Sequence, residues 1–344
     1  MSHTVILRGM DAEIAVEAGE TILDAALRNG LPFPFGCQSG NCGACKCALV
    51  AGGVELAPYS EFALEEGERL QGMILGCRAI PLADCTVALL ETEELEVHPA
   101  RELDCRVVAI DDMTHDIRRL RLEILSGAPF AFSAGQFASL RFPGLPARDY
   151  SMANRPDEAL LEFHIRLVAG GAVTPHLRER LKVGDTLRVS GPMGTSSWRR
   201  RHTGPILAVA GGSGLAPIKS IVETALTSGA RQPIRLYIGG RAERDLYLLD
   251  HFAALAARHP NLSVTPVLSQ ADGPTERRTG VLADALSADL ADLDGWKAYL
   301  AGPPAMVESC VDALAARGMA RGDCHADAFY TEADKQALMR AMGR

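Results

Sequence analysis

Short apolar runs make up the hydrophobic pattern of the first hundred residues. Residues 5–8 and 13–16 are candidate strands, and residues 21–30 are a candidate helix with threonine as its cap and glycine as its stop. Apolar runs at 47–50 and 53–56 predict further strands. Two strands, one helix and then more strands indicate a small α+β domain with the element order of a β-grasp.

The pattern changes after residue 100. From there to about residue 200, short β-like runs alternate with glycine and proline turns, and the alternation is cleanest at 120–124 and 138–142. Many short strands separated by turns are typical of a small antiparallel barrel. We therefore expect an antiparallel β domain in the middle of the chain.

The last part of the chain alternates strands with helices. Buried-strand runs occupy 206–210, 234–238, 262–268 and 298–301, and they alternate with helices near 247–257 and 306–316. This alternation predicts a mostly parallel sheet with helices on both faces. Ligands of such sheets bind beyond the carboxyl ends of the strands, where two glycine-rich turns, 211–217 and 302–304, are expected.

Length and composition limit the possibilities further. A chain of 344 residues is too long for one ordinary core, so two or three domains are expected. No apolar run is long enough to span a bilayer, and the N-terminus lacks the charged and apolar regions of a secretory leader. Nine cysteines, an odd number, suit a reducing compartment better than a disulfide framework. These features predict a cytoplasmic protein that does not enter the membrane.

Charge is spread unevenly along the chain. Residues 1–97 carry five Lys or Arg against fifteen Asp or Glu, whereas the remainder is nearly balanced. An acidic first domain is suited to docking on a basic partner or on a basic face of its own chain, and it equally serves solubility. Such a chain is a poor candidate for binding nucleic acid.

Four cysteines carry the most specific chemical signal. Cys37, Cys42 and Cys45 follow a C-x4-C-x2-C spacing, and Cys77 follows after a long gap. This is the plant-type spacing for the ligands of a [2Fe–2S] cluster. A structural zinc site is the alternative, but zinc sites commonly have two close cysteine pairs, and only one close pair is present here. Cys47 is too close to Cys45 to be another ligand of this pattern and is expected to be a neighbouring thiol, packed or exposed.

The order of the motifs is more specific than any one of them. After the cysteines come Arg148-Asp149-Tyr150-Ser151, then a Gly-Gly-x-Val-Thr turn at 170–174, then glycine-rich turns at 211–217 and 302–304. The four motifs after the cysteines resemble the ferredoxin–NAD(P)⁺ reductase superfamily. Residues 3–330 as a whole resemble reductase components of bacterial aromatic-ring oxygenases, among them naphthalene- and terephthalate-dioxygenase reductases and toluene- and phenol-monooxygenase reductases.

The resemblance implies a multidomain α+β and α/β protein. Its expected domains are a β-grasp [2Fe–2S] ferredoxin at 1–97, an antiparallel β-barrel for FAD at 101–202, a parallel α/β nucleotide-binding domain at 203–330, and a C-terminal extension at 331–344. A polar stretch ending at Pro99 is the expected linker. The extension has apolar residues that suit a short amphipathic helix, although a frayed tail is an equal alternative.

The resemblance also implies roles for residues of the barrel. Arg148 would neutralise the flavin pyrophosphate, Tyr150 would pack against the isoalloxazine ring, and Ser151 would hydrogen-bond near N5. A second contact to phosphate and ring is implied for Arg166, Gly171, Val173 and Thr174. From the residues alone, a core aromatic is the favoured interpretation of Tyr150, and a surface ion-pair partner that of Arg148.

In the nucleotide domain, the resemblance assigns two turns. It places Gly212, Gly214 and Pro217 in the pyridine-nucleotide turn, and Gly302, Pro303 and Pro304 under the nicotinamide. One common form of the family has a cysteine before Gly-Pro-Pro, whereas this chain has Ala301. We expect this difference to change the rate of hydride transfer without abolishing it. Phe329 is the expected aromatic shield of the flavin, with Tyr330 as the alternative.

The implied function is electron transfer. NADH, with NADPH as the alternative, would give a hydride to FAD, and the cluster would pass single electrons to a Rieske-type oxygenase or an intermediary ferredoxin. A di-iron monooxygenase is the alternative partner, and a deoxysugar-pathway reductase and a redox-sensing module are rival functions. A monomer is the family default.

Overall fold

The structure is a computed structural model, and it describes residues 2–31, 33–35, 38, 40, 43–61, 63–90, 96, 98–127, 129–331 and 334. The chain divides into two compact units, which are described separately below. The first unit contains residues 1–97 and 330–344, and the second contains residues 98–329. Most of the expected linker, and the apolar residues of the C-terminal extension, lie outside the described residues.

The first unit contains the expected β-grasp arrangement. Among its described residues, β1 pairs in parallel with β7, and the order β2-β1-β7-β3-β5 is otherwise antiparallel, with β4 and β6 as a separate pair. Thr21 caps α1 because its Oγ1 accepts the Asp24 N–H at 3.2 Å. The element bounds are β1 His3–Arg8, β2 Ala12–Val16, α1 Ile22–Arg28, β3 Lys46–Ala51, β4 Val54–Leu56, α2 Glu66–Leu70, β5 Met73–Leu75, β6 Ala79–Pro81 and β7 Cys85–Leu89.

The second unit begins with an antiparallel barrel, as expected. In its described residues the strand order is β11-β10-β13-β8-β9-β12. A bridge between Met152 and Phe163, just past the end of β11, brings the two outer strands together and nearly closes the barrel. The bounds are β8 Arg101–Asp112, β9 Ile117–Ser126, β10 Phe137–Arg141, β11 Arg148–Ser151, β12 Leu161–Arg166, α3 Thr174–Glu179 and β13 Thr186–Met193.

A parallel sheet forms the rest of the second unit. Its described strands have the order β17-β16-β15-β14-β18-β19, and every pairing is parallel. The bounds are β14 Ile206–Gly211, α4 Leu215–Thr227, β15 Ile234–Gly240, α5 Leu249–Arg258, β16 Leu262–Leu268, β17 Arg278–Thr279, α6 Leu282–Asp289, β18 Lys297–Gly302, α7 Pro304–Ala315 and β19 Cys324–Ala328.

Helices cover both faces of this sheet. On β14, Ile206, Ala208 and Ala210 share a core with α4 and α5. Gly211 points the other way, because a Cβ there would lie 2.4 Å from Met306 Sδ of α7. The doubly covered sheet is therefore confirmed.

Two features of the sheet define where a ligand can bind. The chain order reverses between β14 and β18, and the two glycine-rich turns follow these neighbouring strands. Strand β19 was not predicted, because Cys324–Ala328 lacks a run of apolar residues. It pairs with β18 as an edge strand and brings the chain back to the same end of the sheet.

No helix in the described part of the chain has both the length and the apolar character needed to cross a membrane.

Candidate functional site

Two of the four predicted cluster ligands meet in the first unit. Cys45 immediately precedes β3 and Cys77 follows β5, and these strands are antiparallel neighbours. Both side chains are buried, and the Cys77 N–H points at Cys45 Sγ over 3.4 Å. Cys37 and Cys42 lie outside the described residues. Buried thiols with a backbone N–H aimed at sulfur are the donor set that suits an iron–sulfur cluster.

The described residues of the cluster loop have an unusual backbone. Gln38, Gly40 and Gly43 have φ values of 53°, 77° and 72°. A Cβ at Gly40 would lie 2.9 Å from Tyr59 Cβ, so the loop packs closely against its own unit. Cys47, in contrast, is fully buried in β3, and burial raises the pKa of its thiol to about 12. Cys47 is therefore a packed core residue, which is one of the two alternatives expected for it.

The predicted flavin residues of the barrel lie together on β11. Within the described residues, the Arg148 guanidinium forms no ion pair, and its Nη1 donates to Ala147 O at 2.8 Å. Tyr150 is partly buried, and burial raises the pKa of its hydroxyl to about 12, while Ser151 is buried. An uncompensated cation beside an aromatic ring and a hydroxyl fits a flavin with its pyrophosphate.

Three of the four residues of the second predicted flavin segment lie on one turn. The Thr174 N–H donates to Gly171 O at 3.3 Å, and buried Val173 begins α3. The fourth residue, Arg166, ends β12 and pairs with Asp116 Oδ2 at 2.9 Å. Its Nη1 would be 3.1 Å from a Cβ at Gly212, so Arg166 lies beside the predicted coenzyme turn.

The predicted coenzyme turn connects β14 to α4. Gly212 has a φ of 55°, and a Cβ at Gly214 would lie 2.1 Å from Ala301 O of the neighbouring strand. Only glycine fits this approach of two backbones. The thirteen-residue helix α4 follows directly, with Pro217 buried in its first turn, where the missing N–H is tolerated. A bare turn before a helix N-terminus fits a pyrophosphate.

The second glycine-rich turn lies beside the first. Gly302 has a φ of 150°, and a Cβ there would approach Gly211 O to 2.9 Å. Pro303 and Pro304 start α7. The Phe329 N–H donates to Gly302 O at 2.8 Å, so strand β19 places Phe329 at this turn. The predicted nicotinamide residues and the predicted shield are thus brought together.

A buried polar network was missed at the sequence level. Lys219 of α4 reaches the barrel, where its Nζ donates to Ala153 O at 3.0 Å and lies 3.4 Å from Glu162 Oε1. It also lies 3.2 Å from Glu223 Oε2. Burial alone would raise the pKa of Glu162, but hydrogen bonding to His164 and the Lys219 charge lower that pKa to about 2.

The sequence did contain a signal for this network. Lys219 and Glu223 stand four residues apart on a largely apolar helix, whereas Glu162 and His164 only alternate with apolar residues on β12 and gave no signal of burial. Charges buried in this way are rare unless they are paired.

Three family models match successive parts of the chain. The 2Fe-2S iron-sulfur cluster binding domain matches residues 5–82, the oxidoreductase FAD-binding domain matches 104–198, and the oxidoreductase NAD-binding domain matches 208–312. The reductase component of the naphthalene 1,2-dioxygenase/salicylate 5-hydroxylase systems of Ralstonia sp is 43% identical over 329 residues, covering 95% of this chain and 98% of that protein.

Two further similar proteins are named for other oxygenases, a phenol 2-monooxygenase and a cytochrome P450. The phenol 2-monooxygenase reductase component of a Pseudomonas species is 38% identical over 343 residues, covering 97% of this chain and 96% of that protein. The crystal structure of an Amycolatopsis cytochrome P450 reductase superposes with a TM-score of 0.78 at 37% identity, covering 95% of this chain and 98% of that one. This chain therefore belongs to the reductase components of oxygenase systems, iron–sulfur flavoproteins that take electrons from NAD(P)H through FAD and a [2Fe–2S] cluster.

Proposed function

We propose that this reductase transfers electrons from NADH to an aromatic-ring dioxygenase of the Rieske type, directly or through a separate ferredoxin. The observation that carries the proposal is the pair of glycine turns at the strand-order reversal, with the barrel's Arg166 beside Gly212. Coenzyme and flavin sites would then meet within one compact unit. The Ralstonia relative, named for a dioxygenase system, supports the choice of partner.

The residues of the two sites have the following proposed roles. Arg148 binds the flavin pyrophosphate, Tyr150 packs on the ring, and Ser151 hydrogen-bonds near N5. A second contact to the flavin phosphate and ring is made by Arg166, Gly171, Val173 and Thr174. The coenzyme is bound by Gly212, Gly214, Pro217, Gly302, Pro303 and Pro304. Phe329 covers the flavin. The cluster is held by Cys37, Cys42, Cys45 and Cys77.

These residues act by alignment. Arg148, Tyr150 and Ser151 would hold FAD, which would supply hydride acceptance from the coenzyme and release of single electrons to the cluster. The chain's part is to hold the reacting rings in contact and keep water out, for which a glycine turn and an aromatic cover are sufficient. Ala301, buried under the second turn, supplies no thiol, so ring alignment depends on the turn itself.

The preference for NADH rests on the region after β15. Asp245 Oδ2 accepts the N–H groups of Arg241 and Ala242 at 3.1 and 2.9 Å, so a carboxylate is fixed there. Glu243 is held by Arg277, whose Nε lies 2.7 and 2.8 Å from its two carboxylate oxygens. Arg241 Nε lies 3.7 Å from Asp245 Oδ2, so Arg241 and Arg277 are paired with carboxylates rather than free for the 2′-phosphate of NADPH.

The remaining expectations stay part of the proposal. The domains are taken as 1–97, 101–202, 203–330 and an extension at 331–344, and the free protein as a cytoplasmic monomer. The cysteine pattern supports the compartment. A monooxygenase is the second candidate partner, and the identity to a phenol 2-monooxygenase reductase favours it.

An anaerobic titration with NADH tests the proposal. We expect bleaching of the flavin absorbance and a rhombic one-electron EPR signal from the reduced cluster. Flavin bleaching without that signal would contradict the cluster assignment. The partner is tested by coupling the reductase to purified dioxygenase and monooxygenase components, and faster turnover with the monooxygenase would overturn the choice of a dioxygenase.

A further inference from the structure

A line of buried groups joins the barrel to the coenzyme turn. His164 Nε2 lies 3.0 Å from Glu162 Oε1, and His164 Nδ1 lies 3.1 Å from Tyr247 Oη. Tyr247 Oη in turn lies 3.3 Å from the carbonyl oxygen of Gly212. Glu162, His164 and Tyr247 are only 7%, 3% and 6% exposed. The line therefore runs from a barrel strand to the coenzyme turn with little access to water.

The number of hydrogens in this line depends on the charge of His164. The ionised Glu162 carboxylate only accepts, so His164 Nε2 must carry a hydrogen. In a neutral imidazole Nδ1 is then an acceptor and takes the single hydrogen of the Tyr247 hydroxyl. Gly212 O still accepts the Leu215 N–H, but it accepts no hydrogen bond from the Tyr247 hydroxyl. A second hydrogen on His164 reverses this, because Nδ1–H then donates to Tyr247 Oη and the hydroxyl donates to Gly212 O.

The Gly212 carbonyl matters because of the peptide plane that it belongs to. A trans peptide points its C=O and its N–H in opposite directions. Holding Gly212 O toward Tyr247 therefore directs the Ser213 N–H to the other side of the turn, toward a phosphate in the proposed coenzyme site. Glycine at position 212, with a φ of 55°, allows the plane to tilt when the Leu215 N–H alone holds the carbonyl.

We propose that Tyr247 and His164 are positioning residues for the coenzyme, and that one proton on His164 determines whether Tyr247 holds the Gly212 carbonyl. This inference rests on the proposed function, since it takes the Gly212 turn as the coenzyme site. It predicts that coenzyme binding and proton uptake are coupled.

The charges around the two side chains identify His164 as the group that changes. His164 is faced by Glu162 on its own strand, by Lys219 of α4 and by Arg119 of β9, and burial lowers its pKa from the ordinary value. Tyr247 is faced by Glu162, Arg166 and Asp116, and burial raises its pKa well above the ordinary value. Burial would raise the pKa of Asp116, but the Arg166 charge together with hydrogen bonds from Thr114 and Arg166 lowers it. Of these groups, only the imidazole ordinarily titrates near neutrality.

The test is calorimetric titration of the oxidised holoprotein with NAD⁺ at pH 7.5 and pH 5.5. Because burial lowers the His164 pKa, only part of the protein carries the second hydrogen at pH 5.5, so we expect NAD⁺ to bind about threefold tighter there, short of the roughly tenfold that one whole hydrogen bond supplies. Repeating the acid titration in two buffers of different ionisation enthalpy should reveal proton uptake on binding. This second readout uses the unmodified protein, so it stands even if a variant fails to fold.

Tyr247→Phe is the decisive variant. It should bind NAD⁺ within about twofold of the parent at pH 7.5 and lose the tightening at pH 5.5. Tyr237→Phe is the matched control, because it removes another buried hydroxyl, one that donates to Asp289 at 2.8 Å rather than to the turn. The control should keep the tightening.

The outcomes separate this inference from the proposed function. If NAD⁺ binds but shows neither tightening nor proton uptake, or if Tyr247→Phe keeps both, the proton-linked positioning is wrong while the coenzyme site stands. If neither NAD⁺ binding nor flavin reduction by NADH occurs at either pH, the proposed function itself fails.

Discussion

The two units build their functional sites from different kinds of sequence information. In the first unit, three proposed ligands lie within nine residues, and the fourth, Cys77, follows after β3, β4, α2 and β5. In the second unit, the site draws on strands from β11 to β19, and Arg148 and Phe329 are far apart in the chain. The comparison teaches that spacing can specify a metal centre, whereas a site assembled from distant strands needs the whole sheet topology.

The units also differ in where their charges lie. The Arg69–Glu66 pair of the first unit is on the surface, with side chains 44% and 62% exposed. In the second unit, the side chains of Lys219, Glu162 and Glu223 are 9%, 10% and 7% exposed. Surface pairs contribute little to stability, but breaking a buried pair leaves a charge without compensation. Substitutions in the two units should therefore have different consequences.

The largest effect is expected in the cluster loop. Cys45→Ala should abolish the [2Fe–2S] absorbance and the EPR signal of the dithionite-reduced protein, because a cluster with three thiolates is not retained. Cys47→Ala is the matched control, since it removes a buried thiol only two residues away and should keep the signal. Loss of the cluster in Cys47→Ala with retention in Cys45→Ala would reverse the ligand assignment.

Lys219→Met should be the most destabilising change in the second unit. It removes the buried cation that Glu162 and Glu223 share, leaving Glu162 with Arg121 and Glu223 with His251, and we expect the free energy of unfolding to fall by about 3 kcal/mol. Urea denaturation at pH 7.5 measures this. Arg69→Met, which breaks the exposed pair of the first unit, should leave the urea midpoint unchanged. Equal effects of the two substitutions would break the comparison between the units.

Gly214→Ala tests the close approach of the coenzyme turn to β18. The added Cβ would lie 2.1 Å from Ala301 O, so the turn must shift, at a cost of about 1–3 kcal/mol and with loss of NAD⁺ affinity. Gly322→Ala is the control, because nothing lies within 4 Å of its Cβ position. Calorimetric binding and urea denaturation give the two readouts. Unchanged NAD⁺ affinity in Gly214→Ala would place the coenzyme elsewhere.

The smallest effect concerns pH. Burial, aided by the Arg199 charge, lowers the pKa of His325 from 6.5 to about 3. The unfolded chain then binds a proton that the folded chain does not, so stability is lost as pH falls below about 6.5. His325→Phe keeps an aromatic ring on Tyr299 and should lose about 1–2 kcal/mol less stability between pH 7.5 and 5 than the parent. An identical pH slope in urea denaturation would contradict this.

Much of the architecture was accessible from pattern alone. The helix at Ile22–Arg28 was predicted from its cap and glycine stop, and the strand Ile206–Gly211 from its apolar run. Strand β19 was not predicted, because Cys324–Ala328 has little apolar character and is stabilised by pairing with β18. Backbone pairing of an edge strand leaves a weak trace in side-chain pattern. The role of each proposed site residue stays a prediction.

The sequence by itself determined the ferredoxin-like cysteine spacing, the three successive fold patterns and the glycine turns, because these depend on neighbouring residues and on local backbone geometry. Only the tertiary structure placed Arg166 beside Gly212, brought Phe329 to Gly302, and joined Lys219 and Tyr247 to the barrel's buried Glu162 and His164. The physical reason is that strand order and burial decide which distant side chains meet and how strongly their charges interact. The pattern of residues along the chain specifies neither the strand order nor the burial of a given charge.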